Sequence, residues 1–182
     1  MFMRTERLFL RPVFPEDWQA IYEGIADFGV VSMLARAPWP YRVADAQSYC
    51  RKPAPAGSMK FSIIAPEMDG APLVGQIGIE PMADSPHELG YWIAPGWQRR
   101  GFASEAVGGV LDMARAIGVP RVDAGHYLEN VASGKVLKAN GFIETGELRP
   151  TTCAARGGAV VLARRYSCDL RAGVEAPDAE AA

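Results

Sequence analysis

Seven consecutive residues, Gln98-Arg99-Arg100-Gly101-Phe102-Ala103-Ser104, have the make-up of an anion site. They lie between a strand-like run and a helix-like run. A turn entering a helix presents unpaired backbone amides and the positive end of the helix dipole. Gly101 permits a tight turn and lets a phosphate come close to the backbone. Arg99 and Arg100 add positive charge at the same mouth. The chemistry this allows is a pyrophosphate cradle. A structural turn with two solvated arginines is the plain alternative. A second segment opens at Asn130, a good N-cap because its side-chain oxygen can accept from the Ser133 amide. It closes at Gly141-Phe142, where glycine suits the left-handed position just past a helix end.

Other chemistries are excluded. The three cysteines, Cys50, Cys153 and Cys168, are odd in number and far apart, which is neither a disulfide framework nor a zinc site. Two histidines without HExxH argue against a histidine-built metal centre, so no metal is expected. Ser133-Gly134-Lys135 lacks the upstream glycine of a P-loop, and no GxGxxG occurs. The aromatic group Trp18, Tyr22, Phe28, Trp39 and Tyr41 is expected to be core or lid packing rather than a nucleobase platform. A formal charge of −2 argues against a dedicated nucleic-acid binder. No run approaches the length of a membrane span. The first twelve residues carry Arg4, Glu6, Arg7 and Arg11 and lack the apolar stretch of a signal peptide. The expectation is a cytoplasmic protein with reduced thiols.

The elements that must position these residues follow from periodicity and breakers. With 182 residues the chain is long enough for one domain, at roughly 100–200 residues per domain. That domain is expected over 1–170. The Ala-, Glu-, Asp- and Pro-rich stretch 171–182 is expected to be a disordered tail. Strands are predicted at Leu8–Arg11, Lys60–Ala65, Leu73–Glu80, His87–Ile93, Arg121–Ala124, Phe142–Leu148 and Val160–Asp169. Helices are predicted at Pro15–Phe28, Val43–Arg51, Ala103–Ile117 and Asn130–Asn140. Asp69-Gly70 marks a hairpin turn, and Pro150–Gly158 reads as a Gly-rich loop. The order gives an α+β fold: antiparallel hairpins first, then a strand–helix–strand–helix–strand unit that brings in a central parallel pair.

Together, Gln98–Ala103 and Asn130…Gly141-Phe142 resemble the GNAT superfamily of N-acetyltransferases. That family's phosphate loop reads Q/R-x-x-G-x-G/A, with Ala103 in the last place here. The opening Thr5-Glu6-Arg7-Leu8-Phe9-Leu10-Arg11-Pro12 and the strand Leu89-Gly90-Tyr91-Trp92-Ile93 are similar to one branch, the Rim-type N-terminal acetyltransferases of ribosomal proteins and related small-amine enzymes. The resemblance runs from about Arg4 to Asp169. It implies a mixed, mostly antiparallel twisted sheet of about six to seven strands, splayed at its parallel pair around the cofactor and flanked by about four helices.

The resemblance also implies acetyl-CoA as donor and direct transfer to a primary amine, either a protein N-terminus or a small molecule. The pantetheine arm would run along Tyr91, Trp92 and Ile93 like an added strand. The pyrophosphate would sit on the amides of Arg99, Arg100, Gly101, Phe102, Ala103 and Ser104, with Gln98 at the head of the loop. Asn130 would reach the pantetheine or the pyrophosphate arm, and Ser133 would approach the thiol. Glu88, on the strand beside the cofactor, is the first candidate for general base, and Glu80 on the preceding strand the second. Leu137 stands where many relatives carry a tyrosine, so either Ser133 is the acid or the thiolate leaves unaided. Helical spacing predicts that Ser133 and Leu137 share a face. Trp39 and Tyr41 are expected to wall the acceptor site. A homodimer is compatible with the resemblance. A catalytically silent acetyl-CoA-binding module and a structural dimerisation domain are the rival classes.

Overall fold

A computed structural model describes residues 1–82 and 85–171. The stretch 172–182, where most of the expected tail falls, lies outside the described residues. One sheet of eight strands runs through the molecule: β1 (Met3–Arg4), β2 (Phe9–Pro12), β3 (Met59–Ile64), β4 (Leu73–Met82), β5 (Ser85–Ile93), β6 (Arg121–Tyr127), β7 (Ile143–Cys153) and β8 (Ala159–Asp169). Their spatial order is β1-β2-β3-β4-β5-β6-β8-β7. Neighbours are antiparallel except β5 and β6, which run parallel. The expected α+β class and the central parallel pair are thus present. Eight strands stand against the expected six to seven, because the two-residue β1 was too short to show a period.

Among the described residues five α-helices accompany the sheet: α1 (Trp18–Ile25), α2 (Phe28–Val31), α3 (Val43–Arg51), α4 (Phe102–Ala116) and α5 (Val131–Ala139). The single helix expected over Pro15–Phe28 is broken. Pro15–Asp17 forms a 3-10 turn, and the Asp27 carboxylate caps a separate α2 by accepting from the Val30 amide at 3.1 Å. The expected loop Pro150–Gly158 is shorter: β7 continues through Pro150 to Cys153, a 3-10 turn spans Ala154–Arg156, and Gly157 and Gly158, both at positive φ, lead into β8.

The sheet divides two apolar cores. One face packs on α4 and α5 through Leu89, Ile93, Phe102, Val107, Val110, Val122, Leu137 and Tyr166. The other packs under α1 to α3 through Ile21, Val31, Tyr41, Cys50, Trp92, Tyr127 and Ala163. Alternation along β5 decides the split: Leu89, Tyr91 and Ile93 look toward α4 and α5, whereas Glu88, Gly90 and Trp92 look toward the other face. The parallel ladder is brief. It pairs Glu88 with Asp123 and Leu89 with Ala124. Past that point no ladder joins β5 to β6 among the described residues, and the strands part into a cleft.

Candidate active site

The loop Gln98–Ser104 is built by conformations that only certain residues tolerate. After a 3-10 turn at Pro95–Trp97, Arg99 adopts φ 64° and Gly101 φ 81°. Both are left-handed, and the second falls on glycine, which has no Cβ penalty there. The first bond inside α4 runs from the Glu105 amide to the Gly101 carbonyl, 3.1 Å. The amides of Phe102, Ala103 and Ser104 therefore face the open end of the helix, where an anion is favoured. The Phe102 ring is buried in the core and ties the loop to the sheet. Burial of a phenylalanine is worth about 1.5–3 kcal/mol. Gln98 Nε2 donates to the Ile93 carbonyl at 2.9 Å, joining the loop to the end of β5. The Arg100 guanidinium lies over Trp97, 4.8 Å from the ring centre. Ser104 Oγ accepts from Asn140 Nδ2 at 3.0 Å, which links the start of α4 to the end of α5.

A brace not foreseen from the sequence holds the loop from the N-terminus. The turn between β1 and β2 is closed on Thr5 and Leu8, whose backbones bond at 2.9 Å. It presents Thr5 Oγ1 and the Arg7 amide to one Glu105 oxygen, at 2.6 and 2.7 Å. Arg7 Nε and Nη2 take the other, at 2.8 and 2.7 Å. Burial alone would raise the Glu105 carboxyl; the hydrogen bonds from Thr5 and Arg7 outweigh it and hold it below the ordinary carboxylate range. Arg7 Nη1 also donates to the Arg100 carbonyl at 3.0 Å. The Thr5-x-Arg7 signal was visible, but only as part of a resemblance.

At the cleft, Asn130 caps α5 by accepting from the Ser133 amide at 3.2 Å. The Ser133 hydroxyl lies 2.8 Å from the Tyr91 hydroxyl. The resemblance implies only a backbone role for Tyr91, along the cofactor arm. Its side chain spans the opening from β5 to α5, and alternation on β5 was the signal for it. Burial pushes the Tyr91 hydroxyl up to about 12, the bond to Ser133 opposing, so it stays protonated at neutral pH. Leu137 does not share this opening. It is fully buried in the core, so a tyrosine there would overpack it. Trp92 is turned to the opposite face, buried against Gly24.

On that opposite face, Glu88 is not a free carboxylate. Arg165 Nη1 and Nη2 reach its two oxygens at 2.5 and 2.6 Å. The guanidinium passes over Gly125 of β6; a Cβ there would lie 2.5 Å from Arg165 Nη1. Glu80 stands directly across from Glu88 on β4 and pairs with Arg36 at 2.6 Å. Like charges opposite one another repel, and each is neutralised by its own arginine. Tyr41 is buried rather than lining a wall, whereas Trp39 is exposed and meets Phe28 edge-on at 5.4 Å. Among the described residues no group of three or more His, Cys, Asp or Glu could hold a metal ion. No helix there is long and apolar enough to cross a membrane.

A family model described as an acetyltransferase (GNAT) domain matches residues 7–143. The chain is 28% identical over 148 residues to the uncharacterized N-acetyltransferase YnaD of Bacillus subtilis, covering 80% of this chain and 85% of that protein. YoaA of the same organism, likewise an uncharacterized N-acetyltransferase, is 28% identical over 156 residues, with 81% and 85% covered. The crystal structure of a GNAT-family acetyltransferase from Bacillus anthracis superimposes with a TM-score of 0.79 at 24% identity, covering 94% of this chain and 99% of that one. RimL, the ribosomal L7/L12 alpha-N-protein acetyltransferase in complex with coenzyme A, does so at 0.73 and 14% identity, covering 93% and 98%. These structures share the fold.

Proposed function

Because the chain belongs to the GNAT acetyltransferase family, we propose that it moves the acetyl group of acetyl-CoA to a primary amine by direct attack in a ternary complex. The observation that carries this reading is the open first turn of α4, entered through a left-handed Gly101 beside the parting of β5 and β6. Phe102, Ala103 and Ser104 amides would hold the pyrophosphate, with Arg99 and Arg100 at its mouth. The cleft-facing edge of Tyr91, Trp92 and Ile93 would take the pantetheine arm, and Asn130 and Ser133 would border it. The three buried free thiols suit a reducing cytoplasm.

The two faces of β5 divide the proton work. The acceptor approaches from the Glu88 side, where Gly90 leaves open space above the strand. Each Glu88 oxygen keeps acceptor capacity beyond its bond to Arg165; Glu88 takes a proton from the incoming ammonium, directly or through water, and the neutral amine attacks the thioester carbonyl. On the other face the Tyr91–Ser133 hydroxyl pair donates to the departing thiolate. This pair supplies the acid that Leu137 cannot.

The test is release of free thiol from acetyl-CoA against a panel of small amines and peptides with free N-termini. Thiol release with at least one amine is the expected result. Binding of acetyl-CoA by calorimetry without turnover on any amine would make the chain a binding module instead. With a working acceptor, Tyr91→Phe should lower kcat by about 10²-fold, the low end for a positioned acid. Acetyl-CoA affinity should stay within a few-fold. Single-turnover rates equal to wild type would show that the thiolate leaves without help.

A further inference from the structure

We infer that Arg7 is a positioning residue for the donor's pyrophosphate, acting through the Arg100–Gly101 peptide and through Glu105. The inference rests on the cradle reading of the α4 entry. Three observations carry it. The first is a conflict of charge. Glu105 sits one turn into the helix whose mouth should hold an anion, and its carboxylate would repel a pyrophosphate. The structure removes that conflict. Thr5 Oγ1, the Arg7 amide and the Arg7 guanidinium engage both Glu105 oxygens within 2.6–2.8 Å.

The second is peptide geometry. A trans peptide points its carbonyl and the following amide in opposite directions. Arg7 Nη1 draws the Arg100 carbonyl to itself at 3.0 Å. The Gly101 amide is thereby aimed away from Arg7, and the carbonyl oxygen cannot turn toward an incoming phosphate. The third is contact. The Arg7 guanidinium lies over Phe102, 5.2 Å from the ring centre, and a Cβ on Gly101 would come within 3.2 Å of Arg7 Nη2. The left-handed loop and the arginine fit against each other. Arg7 Nε, Nη1 and Nη2 all have partners within the protein, so its action on the donor is indirect.

The N-terminal turn thus sets the cradle, although it lies far from it in sequence. Its register comes from β1 and β2. Met3 and Thr5 pack on Gly109 of α4, where a Cβ would lie 3.0 Å from Met3 Sδ and 2.9 Å from Thr5 Cγ2. An arginine is required rather than any cation. A lysine can pair with Glu105 as a point charge but cannot hold Glu105 and the Arg100 carbonyl at once.

The test compares two donors, acetyl-CoA and S-acetylpantetheine, the second of which lacks the pyrophosphate. Arg7→Met should raise KM for acetyl-CoA by tenfold or more and leave kcat/KM for S-acetylpantetheine within twofold. Arg7→Lys should melt close to wild type yet keep a raised KM for acetyl-CoA. If Arg7→Met does not fold, Arg7→Lys carries the same comparison. Equal losses toward both donors would make the brace merely structural, and an unchanged KM for acetyl-CoA would overturn it outright. A wild-type protein that uses both donors equally well would remove the cradle reading itself, and the role of Arg7 with it.

Discussion

Gly101→Asp should abolish binding of coenzyme A, with affinity falling by at least about 100-fold. Two effects add. An L-residue at φ 81° pays a left-handed penalty of roughly 1–2 kcal/mol, so the loop tends to leave the cradle conformation. A carboxylate placed there also opposes the pyrophosphate and competes with Glu105 for Arg7, whose Nη2 lies 3.2 Å from the new Cβ position. Phe102 remains buried, so the fold should persist. Calorimetry with coenzyme A is the direct measure, with circular dichroism to show that the variant is folded. An affinity unchanged from wild type would mean that phosphate does not sit on this turn.

Arg165→Met should lower stability by about 3 kcal/mol, the low end for stripping one partner from a buried ion pair. At this chain length that corresponds to a fall in Tm of roughly 10 °C. The side chains of Arg165 and Glu88 are only 9% and 19% exposed, so Glu88 would be left charged with little water to replace its guanidinium. The double variant Arg165→Met with Glu88→Leu should recover most of the loss, because it leaves no charge behind. Thermal and urea unfolding of the two variants decide the matter. A cost below about 1 kcal/mol for the single variant would place the pair among ordinary surface contacts. Acceptor turnover should fall in both, since neither presents Glu88 in place.

Much of this was legible because it is local. A left-handed glycine before an apolar helix, an asparagine cap and a Gly-Phe exit are written in consecutive residues, and the structure places α4 and α5 within one residue of the expected bounds. Val43–Arg51 was read to the residue for the same reason. What escaped depends on distant chain. Nothing near Glu88 announces Arg165, seventy-seven positions away, and Gly125 read as one residue past a short strand rather than as the gap an arginine crosses. The Thr5–Arg7–Glu105 brace spans a similar separation. Tyr91 differs: its strand is legible and alternation gives its face, but its hydroxyl's partner Ser133 lies forty-two positions away on α5. The break between α1 and α2 turns on one aspartate choosing to cap, which periodicity does not register.

The two-pair ladder between β5 and β6 has a consequence for the molecule as a machine. It is the one parallel seam in the described sheet, and it is shorter than the β4–β5 and β6–β8 ladders on either side of it. On one side lie five strands joined in sequence by antiparallel ladders, and on the other the three strands β6, β8 and β7. The Glu88–Arg165 clasp joins β5 to β8 across this seam, and on the other face α4 lies against β4 and β5 and meets α5, which packs on β6. A donor bound between β5 and β6, as proposed above, would touch both halves, and part of its binding free energy would go into holding them together. Donor binding and the cohesion of the two halves are then one equilibrium seen from two ends. On that reading the protein would be a tighter body with its donor bound and a looser one once the spent thiol has left.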